Sequence, residues 1–362
     1  MASRRRSDLG PGSGGRRESA GRGRGSGWTG ARPPVILAGD IGGTTTRIAR
    51  FEVRGGVPGP PVDVELLTSG RFPSIEALVA DYLSRHPGKI AASCFGIAGA
   101  VVDGSVYVTN LPWTVKIAAL EKTLGLKRVH LVNDLVAAGY GIDALNPDDL
   151  VPLQTAPPSG DYNAGLLSAG TGLGETILVR VNRRFLPVPS EAGHTDFAAR
   201  TDEELRVFRA FRARHGRVSW ERVVSGPGLV ALGELYHEER GATADWKRHL
   251  SEAGEEGPAG LVSRLGMEGT CPACEDALRL FVGAYGAEAG NLALRAVARS
   301  GIYLGGGIAP RILPALRWPE FLDSFRDKEN LRPLLESIPV WVIRNELIGL
   351  LGAARHAAMG EG

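Results

Sequence analysis

The 362-residue chain is 43% hydrophobic, long enough for two cores, and no apolar run approaches the roughly 18 residues of a membrane span. Its formal charge of +2 conceals +6 over residues 1–34 and −4 over the rest, and a mildly acidic body offers nucleic acid no electrostatic footprint. Three cysteines are too few for a disulfide framework at this size and point to a reducing cytoplasm, and Arg4, Arg5 and Arg6 are followed by no apolar stretch of secretory type.

Residues 1–34 hold nine Gly, five Ser and eight Arg, with almost nothing to bury, so their composition predicts an inert, disordered extension closed by Pro33-Pro34. An apolar strand begins at Val35. Gly39-Asp-Ile-Gly-Gly-Thr-Thr-Thr46 follows, and residues 47–53 then alternate with Ala49, Phe51 and Val53 on one face. Strand, glycine turn and strand make a hairpin, whereas a dinucleotide or Walker site would place a helix after the glycines.

Residues 74–86 carry a helical stripe of Ile75, Leu78, Val79, Tyr82 and Leu83, and residues 90–97 read as a strand. Asp103-Gly104 is a hairpin turn into 106–108, residues 114–124 read as a helix stopped by Gly125, and the strand 129–132 ends at Asn133-Asp134 where another helix begins. A second hairpin runs from Ala164 through Thr171-Gly-Leu-Gly174 to Val181, repeating the device near residue 42 about 130 positions later. Residues 240–270 look polar and irregular. An Ala-rich helix over 276–300, a strand from Ile302 into Gly305-Gly-Gly307, a strand at 341–344 and a closing helix over 347–359 complete the chain. The alternation predicts an α/β fold with two related domains: 35–144 completed by 335–362, and 145–334.

Glycines let backbone N–H groups approach phosphate oxygens, so Gly42, Gly43 and Thr44 form one candidate cradle and Gly170, Thr171 and Gly172 a second. Asp40 beside a phosphate makes sense when Mg²⁺ lies between them. Asp134 sits where a strand hands over to a helix, either aimed into a ligand crevice or merely capping the helix. Glu191-Ala-Gly-His194 and Glu221 offer hydrogen-bonding groups for sugar hydroxyls. Gly305, Gly306 and Gly307 would let an adenosine lie against backbone. Cys271-Pro-Ala-Cys274 has metal-like spacing, but four ligands are required and no second pair follows it. His215 and His237 form no recognisable ligand pattern, so the two thiols are expected to be ordinary residues at a helix start.

From Val35 to the C-terminus these motifs, in this order, resemble the bacterial glucokinase family within the actin/hexokinase/Hsp70-like superfamily. The resemblance implies a two-domain actin-like (ribonuclease H-like) ATPase fold with an interdomain cleft. It also implies transfer of the γ-phosphoryl of ATP to the 6-hydroxyl of glucose with Mg²⁺. On that resemblance Asp134 is the catalytic base, and Asn133, Glu191, His194 and Glu221 hold glucose. The phosphates lie at Asp40–Thr44 and Gly170–Gly172, with adenosine near Gly305–Gly307. A homodimer is suggested by the family alone. A related hexose or amino-sugar kinase, a glycoside hydrolase using Glu191 and Glu221, and a non-catalytic nucleotide switch are the alternatives.

Overall fold

The computed structural model describes residues 33–99, 101–108, 111–157 and 160–360. The N-terminal extension, apart from its last two residues, lies outside the described residues. In chain order the first strands are β1 (Val35–Ile41), β2 (Thr45–Arg54), β3 (Val57–Pro58), β4 (Val62–Thr68) and β5 (Ile90–Ile97). A small hairpin, β6 (Ser105–Tyr107) and β7 (Thr114–Lys116), precedes β8 (Val129–Asn133). The main sheet orders them β3-β2-β1-β5-β8, with β4 also paired to β2.

β1 is central and buried on both faces, which is why it reads as a continuous apolar run. Leu37 and Ile41 join Leu78, Val79 and Tyr82 of the helix Ile75–Arg85 on one side. Ile36 and Ala38 join Leu350, Ala353 and Ala357 of the closing helix Ile348–Ala358 on the other.

The second half contains β9 (Leu150–Gln154), β10 (Ala164–Ala169), β11 (Leu173–Val181), β12 (Arg184–Val188), β13 (Ile302–Gly305) and β14 (Val340–Ile343), ordered β12-β11-β10-β13-β14-β9. One face packs Leu167, Leu304 and Val340 on the long helix Pro272–Ala296. The other face meets the first half, where Leu166, Leu178 and Ile343 pack with Leu135 and Ile142. This apolar seam joins the halves through Leu135 and Ile142 on one side and β10, β11 and β14 on the other.

Four expectations are corrected. β14 pairs with β13 and β9, so of residues 335–362 it is the closing helix that completes the first half, while β14 belongs to the second sheet. Residues 240–270 are not irregular: they hold the helices Thr243–Glu252 and Gly257–Glu268, which bury Trp246 and then Leu261 and Val262 on the larger core. The segment from Thr114 starts as β7 and becomes helical at Ile117, because β-branched Thr114 and Val115 pair with β6. The long helix begins at Pro272 rather than 276, with Cys271 Sγ accepting the Cys274 N–H as its cap and Pro at the first position. It stops at Ala296, where Val297 turns left-handed at φ 46°.

Candidate active site

β1, β5 and β8 run parallel, and their register brings Asp40 opposite Gly96 and Ile97 opposite Asn133. Asp40 and the Asn133-Asp134 pair therefore share the carboxyl edge of one sheet, the usual ligand crevice of α/β folds. Asn133, extended at φ −61° and ψ 148°, caps the helix Asp134–Gly141. Its Oδ1 accepts the N–H of Leu135 at 2.9 Å and of Val136 at 3.4 Å, and its Nδ2 donates to the Gly99 carbonyl at 3.2 Å. The capping role open to Asp134 in the sequence is thus taken by its neighbour. Asp134 is the first helical residue. Its Oδ1 accepts the Leu135 N–H at 2.9 Å, which holds the carboxylate without consuming it.

Burial, and then the Glu191 carboxylate, raise the Asp134 carboxyl, opposed by backbone hydrogen bonds including that from Leu135. Burial, and then the Asp134 charge, push Asp40 up to about 6, while the Arg47 guanidinium pulls it down. Arg47 itself pairs with Glu346 at 2.7 Å, just before the closing helix. Asp40 also depends on Gly349 of that helix, where a Cβ would stand 3.0 Å from its carboxyl.

The β1–β2 turn is braced from outside itself. Ser69 Oγ donates to the Gly42 carbonyl at 3.0 Å, so the 3.0 Å contact between Thr46 Oγ1 and Ser69 Oγ has Thr46 as its donor. Gly42 N–H closes the turn onto the Thr45 carbonyl, and Gly170 N–H does the same onto the Gly172 carbonyl, both at 2.9 Å. Those two N–H groups are engaged within the turns, and the outer parts are the accessible ones: Thr44 and Thr171 are exposed and Gly43 is half-buried. Gly305 lies opposite Ser168 at the end of β10, and the Ile308 N–H donates to the Ala169 carbonyl at 3.2 Å. This sets Gly305, Gly306 and Gly307 beside the Gly170 turn.

Glu191, His194 and Glu221 come from two loops zipped together by backbone bonds. Trp220 N–H donates to Thr195 O and Phe197 N–H to Val218 O, both at 3.0 Å. Arg217 adds side-chain bonds to His194 O at 2.9 Å and Asp196 at 2.8 Å. Glu221 follows Ser219, whose hydroxyl accepts the Arg222 N–H at the start of the short helix Trp220–Val223. One Glu221 oxygen accepts the Leu173 N–H at 3.0 Å; the other stands 3.8 Å from His194 Nδ1, too far for a hydrogen bond. A Cβ on Gly172 would lie 2.5 Å from the bonded oxygen. Gly172, expected only to cradle phosphate, is required for Glu221 to reach β11.

Ser69, Arg47, Arg217 and Gly349 were not legible as site residues, since each acts through a contact distant in sequence. A cavity of about 590 Å³ lined by Asp143, Arg180 and Tyr303 contains none of the site residues, and Asp143 and Arg180 already pair at 3.1 Å. Among the described residues no helix is long and apolar enough to cross a membrane.

A solved glucokinase from an Antarctic psychrotroph superimposes on this structure with a TM-score of 0.79 at 28% identity, covering 90% of this chain and 99% of that one. A Balamuthia mandrillaris glucokinase solved with glucose gives a TM-score of 0.70 at 23% identity, over 90% and 94% of the chains. The architecture is that of the actin-like sugar kinases. The sequence profile of the glucokinase family matches residues 37–359, and a glucokinase of Nostoc sp. is 38% identical over 341 residues, 90% of this chain and 99% of the relative. The chain belongs to the glucokinase family, which removes the hydrolase and nucleotide-switch alternatives.

Proposed function

We propose that the chain transfers the γ-phosphoryl of ATP to the 6-hydroxyl of glucose, with Asp134 as the general base. The observation that carries this reading is the division of labour at the end of β8. Asn133 takes the cap, leaving Asp134 a carboxylate in a partly buried edge where burial and Glu191 strengthen it as a proton acceptor.

Glu191, His194 and Glu221 hold the sugar hydroxyls. His194 Nδ1 and the free Glu221 oxygen stand 3.8 Å apart, close enough for one sugar hydroxyl lying beside the pair to donate to the carboxylate and accept from the imidazole. Asn133 keeps a second amide N–H for the sugar. The 6-hydroxyl oxygen attacks the γ-phosphorus in line as its proton passes to Asp134. The bond from that phosphorus to the β–γ bridging oxygen breaks, and ADP leaves. Outer donors of the turns at Gly43–Thr44 and Thr171–Gly172 face the phosphates, with adenosine at Gly305–Gly307.

Mg²⁺ fits beside Asp40. This carboxyl is raised to about 6 by burial and by Asp134, a cost that a divalent cation offsets. When bound, the ion neutralises phosphate charge. On this reading the enzyme draws on the cytoplasmic ATP pool. Asp134→Asn tests the reading: turnover should fall ~10²–10⁴-fold, about 4 kcal/mol near the middle of that range, with glucose affinity and thermal melting nearly unchanged. Near-normal turnover in a folded variant would remove Asp134 from the mechanism.

A further inference from the structure

Four side chains from three helices converge outside the set of residues assigned to ATP and glucose. His237 lies near the end of Gly226–Glu239, His249 near the end of Thr243–Glu252, and Cys271 and Cys274 at the start of Pro272–Ala296. One ligand atom from each lies within 4.8 Å of all the others. A tetrahedral Zn²⁺ with bonds of about 2.0–2.3 Å sets its ligand atoms about 3.3–3.8 Å apart. His237 Nε2 already stands 3.6 Å from Cys271 Sγ. His237, Cys271 and Cys274 are buried and His249 is half-buried.

The hydrogen bonding favours a metal. His237 Nδ1 lies 2.6 Å from the Gly233 carbonyl, which can only accept. The proton is therefore on Nδ1, and Nε2 presents its lone pair to Cys271, the tautomer and outer-shell arrangement of a metal-binding histidine. His249 Nδ1 is buried with no hydrogen-bond partner, and its ring stands edge-on to His237 at 5.3 Å. Cys271 Sγ accepts the Cys274 N–H at 3.1 Å at the N-terminus of a 25-residue helix, a setting that favours thiolate.

In this structure the two sulfurs are joined as a disulfide. That pairing leaves the His249 nitrogen unsatisfied and gives the His237 lone pair no proton to accept. A cation bound by two thiolates satisfies all four groups.

We propose that Cys271, Cys274, His237 and His249 form a closed structural Zn²⁺ site in the dithiol form of the protein, binding releasing two thiol protons to solvent. This replaces the expectation that the cysteines are ordinary thiols. The second ligand pair was hidden because His237 and His249 sit on separate helices, 34 and 22 residues ahead of Cys271. The site has a structural use. The helix Thr243–Glu252 buries Trp246 alone, so a metal bond through His249 gives it a second anchor.

The full chain, produced with zinc in the medium and purified under a phosphine reductant, should carry about one Zn²⁺ per chain by elemental mass spectrometry. Replacement by Co²⁺ should give the visible bands of a tetrahedral thiolate site. Chelation should lower the melting temperature. His249→Gln and Cys274→Ser should each lose stoichiometric zinc. Reduced wild-type protein that takes up neither Zn²⁺ nor Co²⁺ overturns the proposal even if the variants fail to fold. So does zinc binding that survives both substitutions, or a pair that stays oxidised and metal-free under the reductant. Metal content and spectra are read without kinase turnover, so these outcomes are independent of the assignment of Asp134.

Discussion

In the first half of the molecule β1 pairs antiparallel with β2 and parallel with β5, which pairs parallel with β8. In the second half β10 pairs antiparallel with β11 and parallel with β13, which pairs parallel with β14. The turns follow the same plan, yet the chemistry placed on them differs. Two residues before Gly42 stands Asp40, facing Arg47 across the hairpin; two residues before Gly170 stands Ser168, facing Gly174. On the partner strands, Ile48 lies opposite Gly39 in the first hairpin, whereas Glu175 lies opposite Leu167 in the second. One half thus puts its acid at the cleft, and the other puts it in the core. Two carboxylates facing the same phosphates would repel them and each other, so a duplicated backbone serves an ATP site only after its charges become unequal.

Asp40→Asn removes the carboxylate that sets the first turn apart, and turnover should fall at least ~10²-fold, since a carboxylate proposed to hold the cation is lost. The same variant should stabilise the ligand-free protein at neutral pH. Asp40 is raised in the folded state from 3.8 to about 6, so its own contribution to stability is fully present below 3.8 and is lost as pH rises through 6. Above that the variant should exceed wild type by up to about 3 kcal/mol, with the difference vanishing below about pH 4. Denaturant titrations across that range would contradict this with a constant difference.

A smaller effect is expected from Gly172→Ala. The added methyl displaces the Glu221 carboxylate from the Leu173 N–H, so the KM for glucose should rise about tenfold, with kcat changing less and the KM for ATP least. A rise confined to ATP would show that the turn serves phosphate alone.

The smallest effect concerns the buried acid. Glu175 is pushed up to about 8 by burial and then by Glu288, while Arg295, 2.9 Å away, pulls it down. Raised above 4.5, it contributes stability that is present below that value and lost as pH rises through 8. Glu175→Gln should flatten the fall in melting temperature between about pH 5 and pH 8.5, with glucose KM unaltered. A slope unchanged by the substitution would assign the pH dependence elsewhere.

Local chemistry was enough to place much of this. Apolar runs and glycine turns marked β1, β10 and β13, and the repeated hairpin marked the duplication, because strand period and turn composition act over a few residues. The motifs Asp40–Thr44, Asn133-Asp134, Glu191–His194 and Glu221 likewise stood out as candidates, since residue type carries the chemistry.

Tertiary structure decided how those residues divide their tasks. That Asn133 caps while Asp134 stays available depends on Gly99, and Glu221 reaches its place because Gly172 lacks a side chain 49 positions earlier. The helices Thr243–Glu252 and Gly257–Glu268 looked irregular because their apolar residues are few and meet a core built by distant segments. The same packing carries His237 and His249 to Cys271 and Cys274. Local sequence sets which groups are available, but proximity across tens or hundreds of residues is fixed by burial of the whole core, and no local pattern encodes it.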